Sequence, residues 1–169
     1  AAALLMARLT GEPIEACAGR GTGLDDAGLL HKRSVLQRAL DANAEARPPL
    51  QALAALGGLE VASMVGAIQQ AAADGRVIVV DGFITTAAVA VATALQPALL
   101  THCVFAHRSD EAGHARWLQL LGVRPLLDLE LRLGEGSGAA LAWPLLESAC
   151  RVLAEMASFA SAGVSRRSA

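Results

Sequence analysis

The residues best suited to chemistry in this sequence lie in short glycine-rich stretches. The strongest is Leu131-Arg132-Leu133-Gly134-Glu135-Gly136-Ser137-Gly138. A glutamate between two glycines has no bulky neighbours to shield its carboxylate, and the glycines can take backbone conformations closed to other residues. A helix is expected just beyond it, and the free N–H groups at a helix start favour a carboxylate over a carboxylic acid. Glu135 is therefore a candidate general base, able to take a proton from a substrate. A solvated loop glutamate with glycines for turning fits the same residues equally well.

Three other places could hold a ligand. Gly19-Arg20-Gly21-Thr22-Gly23 offers backbone N–H groups near a helix start, which suits a phosphate; on spacing alone an ordinary strand-to-helix turn fits better. Lys32, beside His31 and Arg33 on the next helix, matters only if that helix borders a phosphate site. Ser109 follows a strand and opens a helix, so it could be a plain N-cap or a donor to phosphate at that helix start. Asp81 ends the clearest strand and could orient a ligand or cap the following turn. No metal site is expected: His102, Cys103 and His107 lie on or beside one strand, where successive side chains point to opposite faces. His114 reads as a helix-surface residue, and Met64 and Met156 read as core.

These residues need a scaffold, and the composition bounds it. The 169 residues are 54% apolar and only 3% aromatic, with no tyrosine. That is enough for one domain with a core of small and branched aliphatic side chains. The formal charge of −2 gives no basic surface for nucleic acid. Three widely spaced cysteines outside CxxC pairs argue against a disulfide framework or zinc site and point to the cytoplasm. The most apolar stretch, 87–100, is broken by Gln96 and Pro97, so no membrane span is expected.

Along the chain, a helix is expected at 1–9, a short strand at 14–18, a helix from Asp25 or Asp26 to about 46, and helices at 50–56 and 60–73. The β-branched run 77–80 is the clearest strand, apolar on both faces as in a buried parallel sheet. A helix is expected from Thr85 or Thr86 to Leu95, a second strand at 102–106, and a helix opening at Ser109. A third strand at 126–131 leads into a long last helix running to about 163, with a frayed tail over 165–169. Alternating strands and helices define an α/β fold: a mostly parallel sheet flanked by helices, Rossmann-like and three-layered, with a long C-terminal helix. Ligands in such folds bind at the carboxyl ends of the strands, where the glycine, acid and hydroxyl clusters lie. The first helix opens without a polar N-cap or initiator methionine, so the chain is expected to be cut inside a helix.

Taken in order, five motifs resemble one family. They are Gly19-Arg20-Gly21-Thr22-Gly23-Leu24-Asp25-Asp26, Gly57-Gly58-Leu59-Glu60-Val61-Ala62, Val80-Asp81-Gly82-Phe83-Ile84-Thr85-Thr86-Ala87-Ala88, His107-Arg108-Ser109-Asp110-Glu111 and Arg132-Leu133-Gly134-Glu135-Gly136-Ser137-Gly138-Ala139-Ala140. The order is that of the nicotinate-nucleotide–dimethylbenzimidazole phosphoribosyltransferases, and the resemblance covers essentially the whole chain. It implies a chain about half the family length, 1–169 being the C-terminal portion of one α/β domain, with a Gly-Asn-Thr-Thr loop and part of the base pocket in the missing half. The fragment alone is expected to be inactive.

The resemblance also implies the reaction and its residues. The 5-phosphoribosyl group passes from nicotinate mononucleotide to 5,6-dimethylbenzimidazole, giving α-ribazole 5′-phosphate and nicotinate, with no cofactor. Glu135 matches the catalytic glutamate, Gly21, Lys32 and Ser109 the phosphate side, and Leu133 a leucine beside the base. Gly134 and, more weakly, Asp81 go with the base pocket. Ala106 departs from the family, where many members have serine before the histidine. A homodimer is a further expectation. Two other readings stand beside this one: a dinucleotide-dependent oxidoreductase, since Gly134, Gly136 and Ala139 satisfy GxGxxA, and a non-catalytic α/β module that packs against a partner.

Overall fold

The structure is a computed structural model describing residues 1–21 and 23–163. Its centre is α6 (Gly82–Leu95), whose alanines and valines are buried all round from Thr86 to Thr93. A helix of this kind, apolar on every face, belongs in a core. Around it pack α1 (Ala2–Thr10), α4 (Pro49–Leu56), α5 (Leu59–Ala73) and α7 (His114–Leu121). The long α3 (Asp26–Ala42) leans on α1 and on the short α2 (Ile14–Cys17).

Strand pairing among the described residues is parallel throughout. β1 (Ile78–Val80) pairs with β2 (Cys103–Phe105), and β3 (His107–Ser109) pairs with β4 (Leu127–Leu131). Ala106 joins the two ladders: its N–H donates to the Val80 carbonyl at 2.9 Å and its own carbonyl accepts from Leu127 N–H at 3.0 Å. The stretch 103–109 is thus a middle strand, bonded to β1 along its first half and to β4 along its second. This is the α/β architecture with parallel strands that the sequence indicates. The carboxyl ends of β1, β3 and β4 carry Asp81, Ser109 and the Glu135 loop.

Several local expectations are corrected. Residues 14–17 form the helix α2, not a strand. Pro13 at φ −65° sets the first turn, and Ile14 and Cys17, three residues apart, are both buried. α6 starts at Gly82, whose φ of +69° turns the chain directly from β1 into the helix. Asp25 caps α3, accepting from Gly28 N–H, and that helix stops at Ala42 rather than near 46. Ser109 is not a helix N-cap: it closes β3, a turn follows, and α7 opens at His114 with Gly113 as its cap. Only glycine fits at 113, since a Cβ would lie 2.9 Å from the Cys17 carbonyl oxygen and 3.0 Å from Met6 Sδ.

The last helix, α8 (Ser137–Glu155), ends well before 163 and buries only Gly138 and Ala142. Met156 beyond it is exposed, not core. The expected frayed tail lies outside the described residues.

Candidate functional site

The loop between β4 and α8 holds three consecutive residues in the left-handed region: Gly134 at φ 78°, Glu135 at 56° and Gly136 at 80°. For the two glycines this is free; for Glu135 it costs about 1–2 kcal/mol. Such strain persists where the surroundings over-determine the conformation, and Asp81 provides that here. Its Oδ2 accepts from Gly136 N–H and its Oδ1 from Ala139 N–H, both at 3.0 Å. These are the cap residue and the third residue of α8. A carboxylate 55 residues earlier in the chain therefore does what an N-cap side chain ordinarily does. The Glu135 side chain itself stays exposed at the helix start.

Beneath this clamp lies His107, 2% exposed, with its Nδ1 3.2 Å from Asp81 Oδ1. The loop rests directly on it. A Cβ built on Gly138 would fall 1.8 Å from His107 Nδ1 and 2.4 Å from Asp81 Oδ1. Glycine at 138 is thus a condition for seating the Glu135 loop.

His114 sits behind the same region, buried rather than on the helix surface. Its Nδ1 accepts from Ser109 N–H at 2.8 Å, which places the ring proton on Nε2. Nε2 then donates to Thr86 Oγ1 at 3.0 Å, and Thr86 Oγ1 donates to the Gly82 carbonyl at 2.7 Å. Burial, with His107 alongside, pulls the His114 pKa down to about 4. Protonating Nδ1 would also break its bond from Ser109. The sequence carried a signal for this residue: His114, Trp117 and Leu118 are all buried and Leu121 is half-buried, a stripe at helical spacing.

Gly19, Arg20, Gly21 and Gly23 form one wall of a cleft of about 420 Å³, faced by Asp110, Glu111 and Ala112 and flanked by Arg33 and Arg132. Gly19 lets the two walls approach, since a Cβ there would be 2.9 Å from that of Ala112. Lys32 Nζ donates to the Gly19 carbonyl at 2.8 Å and lies 3.9 Å from where a Gly21 Cβ would be. Arg132 Nη2 donates to the Gly21 carbonyl at 2.8 Å. Arg20 pairs with Asp26, whose carboxyl is held below its usual range by that bond. Lys32 and Arg132 thus each engage a carbonyl of the glycine loop, across the cleft from Asp110 and Glu111.

The structure therefore brings Gly21 and Lys32 together and ties them, through Arg132, to the strand that leads into Leu133, Gly134 and Glu135. Ser109 is buried one residue before the cleft wall; its Oγ accepts from Glu111 N–H at 3.3 Å, leaving its own O–H to donate. Leu133 is 75% exposed beside Glu135. No group of three or more His, Cys, Asp or Glu converges among the described residues. What the sequence did not reveal is the second tier: Asp81 as the loop's clamp, His107 as its seat, and His114 with Thr86 behind Ser109.

Parallel strands with a clamped glutamate loop following β4, and a glycine loop tied to Arg132, define an α/β protein. The chain belongs to the phosphoribosyltransferase family, whose model matches residues 1–164. It is 64% identical over 167 residues to a protein of Variovorax paradoxus (strain S110) named nicotinate-nucleotide–dimethylbenzimidazole phosphoribosyltransferase, covering 99% of this chain and 48% of that one. It is 60% identical to a protein of the same name from Cupriavidus necator, covering 99% and 49%. Among solved structures, the CobT protein of Thermus thermophilus superposes with a TM-score of 0.91 at 46% identity, over 98% of this chain and 49% of that one. The chain spans about half the length of the curated relatives it matches.

Proposed function

We propose that this chain supplies the catalytic carboxylate and part of the phosphate site of an enzyme that moves a 5-phosphoribosyl group from nicotinate mononucleotide to 5,6-dimethylbenzimidazole. One ring nitrogen of the benzimidazole attacks the anomeric carbon of the ribose as the bond to the pyridinium nitrogen breaks. That bond's electrons return to the pyridine ring, so nicotinate leaves without needing a proton. The other benzimidazole nitrogen gives up its hydrogen to the Glu135 carboxylate, and the product is neutral α-ribazole 5′-phosphate at its base. Gly21, Lys32 and Ser109 hold the phosphate in this reading, Arg132 braces the Gly21 loop, and Leu133 and Gly134 border the flat base. Both oxygens of Asp81 already accept loop N–H groups, so we give Asp81 to the loop rather than to the base.

The observation that carries the reading is the clamped left-handed turn at 134–136, which spends strain and a partly buried acid to hold one exposed glutamate. The GxGxxA spacing of the same loop is met by two glycines, Gly134 and Gly136, that the positive φ there requires, and the family match favours phosphoribosyl transfer over dinucleotide binding. The test is Glu135→Gln in a chain of the relatives' full length that carries this segment. Turnover should fall by about 10²–10⁴, the usual worth of a positioned base, while KM for nicotinate mononucleotide holds. Near-normal turnover would refute the assignment. The same proposal includes a cytoplasmic setting and a homodimer; sedimentation of the full-length chain as a monomer would remove the latter.

A further inference from the structure

We infer that Asp81 is a positioning residue for the Glu135 carboxylate, packed in turn against His107. The inference rests on the reading of Glu135 as the base. Three features of the structure point to it independently. Asp81 bonds both the cap residue and the third residue of α8, so it fixes the loop at two points on either side of Ser137. The three left-handed residues end at the first of those points. His107 Nδ1 is buried and stands 3.2 Å from Asp81 Oδ1 without a hydrogen bond to it, so the ring backs the carboxylate by close packing.

The arrangement is more than a helix cap. A cap on its own residue would hold α8 and leave the preceding loop to choose its path. Asp81 directly follows Val80, the buried last residue of the parallel strand β1. It therefore ties the glutamate loop to a hydrogen-bonded strand outside the loop's own helix. Glu135 is exposed and makes no side-chain hydrogen bond of its own among the described residues, so its direction is set by its backbone. That backbone is set by Asp81.

The experiment compares Asp81→Asn, Glu135→Gln and the double variant in the full-length chain. Asparagine keeps the shape but can accept only one of the two loop N–H groups and turns an amide N–H₂ toward the other. A displacement of about 1 Å at a catalytic group costs about 100-fold. Asp81→Asn should thus lower kcat by about 10- to 100-fold with KM for nicotinate mononucleotide unchanged, and amide exchange should quicken in 134–140 alone. In the Glu135→Gln background the same change should add nothing, because there is no longer a base to misplace.

A kcat unaltered by Asp81→Asn overturns the inference. So does an effect that multiplies in full with Glu135→Gln, since Asp81 would then act independently of Glu135. Exchange quickened throughout the protein would make Asp81 a residue of general stability and also overturn it. If Glu135→Gln alone leaves turnover near normal, it is the function of Glu135 that fails, and that result is separate from all of these.

Discussion

Adding one methyl group at Gly138 should damage turnover more than stability. The Cβ of an alanine there would stand 1.8 Å from His107 Nδ1, 2.5 Å from His107 Cε1 and 2.4 Å from Asp81 Oδ1. Ordinary contact needs a retreat of about 1.5–2 Å. His107 is buried and cannot swing into solvent, and Asp81 is fixed at the end of β1, so the start of α8 must move. The bonds from Gly136 and Ala139 to Asp81 then lengthen past hydrogen-bonding range. Overpacking of this kind costs about 1–3 kcal/mol, and the better helix propensity of alanine returns up to about 1 kcal/mol. A loop displaced by about 1 Å costs about 100-fold in rate. Gly138→Ala in the full-length chain should therefore unfold in urea with a modest loss of stability yet form α-ribazole phosphate about 100-fold more slowly. Gly66→Ala is the control: nothing lies within 4 Å of its Cβ position, so it should be neutral or slightly stabilising and fully active. A Gly138→Ala enzyme with kcat within about twofold of the parent would show that the contact at His107 does not hold the glutamate in place.

Ser109→Ala should raise KM for nicotinate mononucleotide with little change in kcat, since a phosphate donor binds ground and transition states alike; steady-state kinetics with an unchanged KM would count against it. His114 should make stability depend on pH. Its folded pKa of about 4 lies below the unfolded value of 6.5, so between these values the unfolded chain binds more protons. The stabilisation is complete above pH 6.5 and is lost as the pH falls toward 4, by about 3 kcal/mol at most. Urea midpoints across this window should fall more steeply for the parent than for His114→Gln, and parallel curves would contradict the neutral, proton-accepting Nδ1.

The sequence disclosed the site's outer tier and hid the inner one, for a physical reason. Glu135 is legible because flanking glycines are a local signature, and the β1 run is legible because β-branched residues apolar on both faces fit a buried strand. Residues 14–17 were not, since four residues cannot distinguish a period of 2 from one of 3.6. Ser109-Asp110-Glu111 imitates a capping sequence, but Ser109 still has strand pairing to complete with Leu131 and the turn must clear Cys17 and Met6, so α7 begins five residues later. Asp81 meets its partners 55 and 58 residues downstream, and no local spacing encodes that.

That hidden tier also links the two ends of the proposed site. Ser109 N–H bonds to His114, His114 to Thr86, and Thr86 to the carbonyl of Gly82, an unbroken chain of hydrogen bonds from the serine to the residue next to Asp81. Asp81 in turn holds Gly136 and Ala139 around Glu135. The serine proposed to hold the phosphate and the glutamate proposed to take the proton are thus referred to one dipeptide, Asp81-Gly82, at the junction of β1 and α6. A ribose transferred between two bases keeps its phosphate anchored while its anomeric carbon changes partner. The distance from the phosphate donor to the base is consequently what the fold has to keep constant. Two hydrogen-bonded relays that meet at adjacent residues of one strand end do so without relying on either loop's own rigidity.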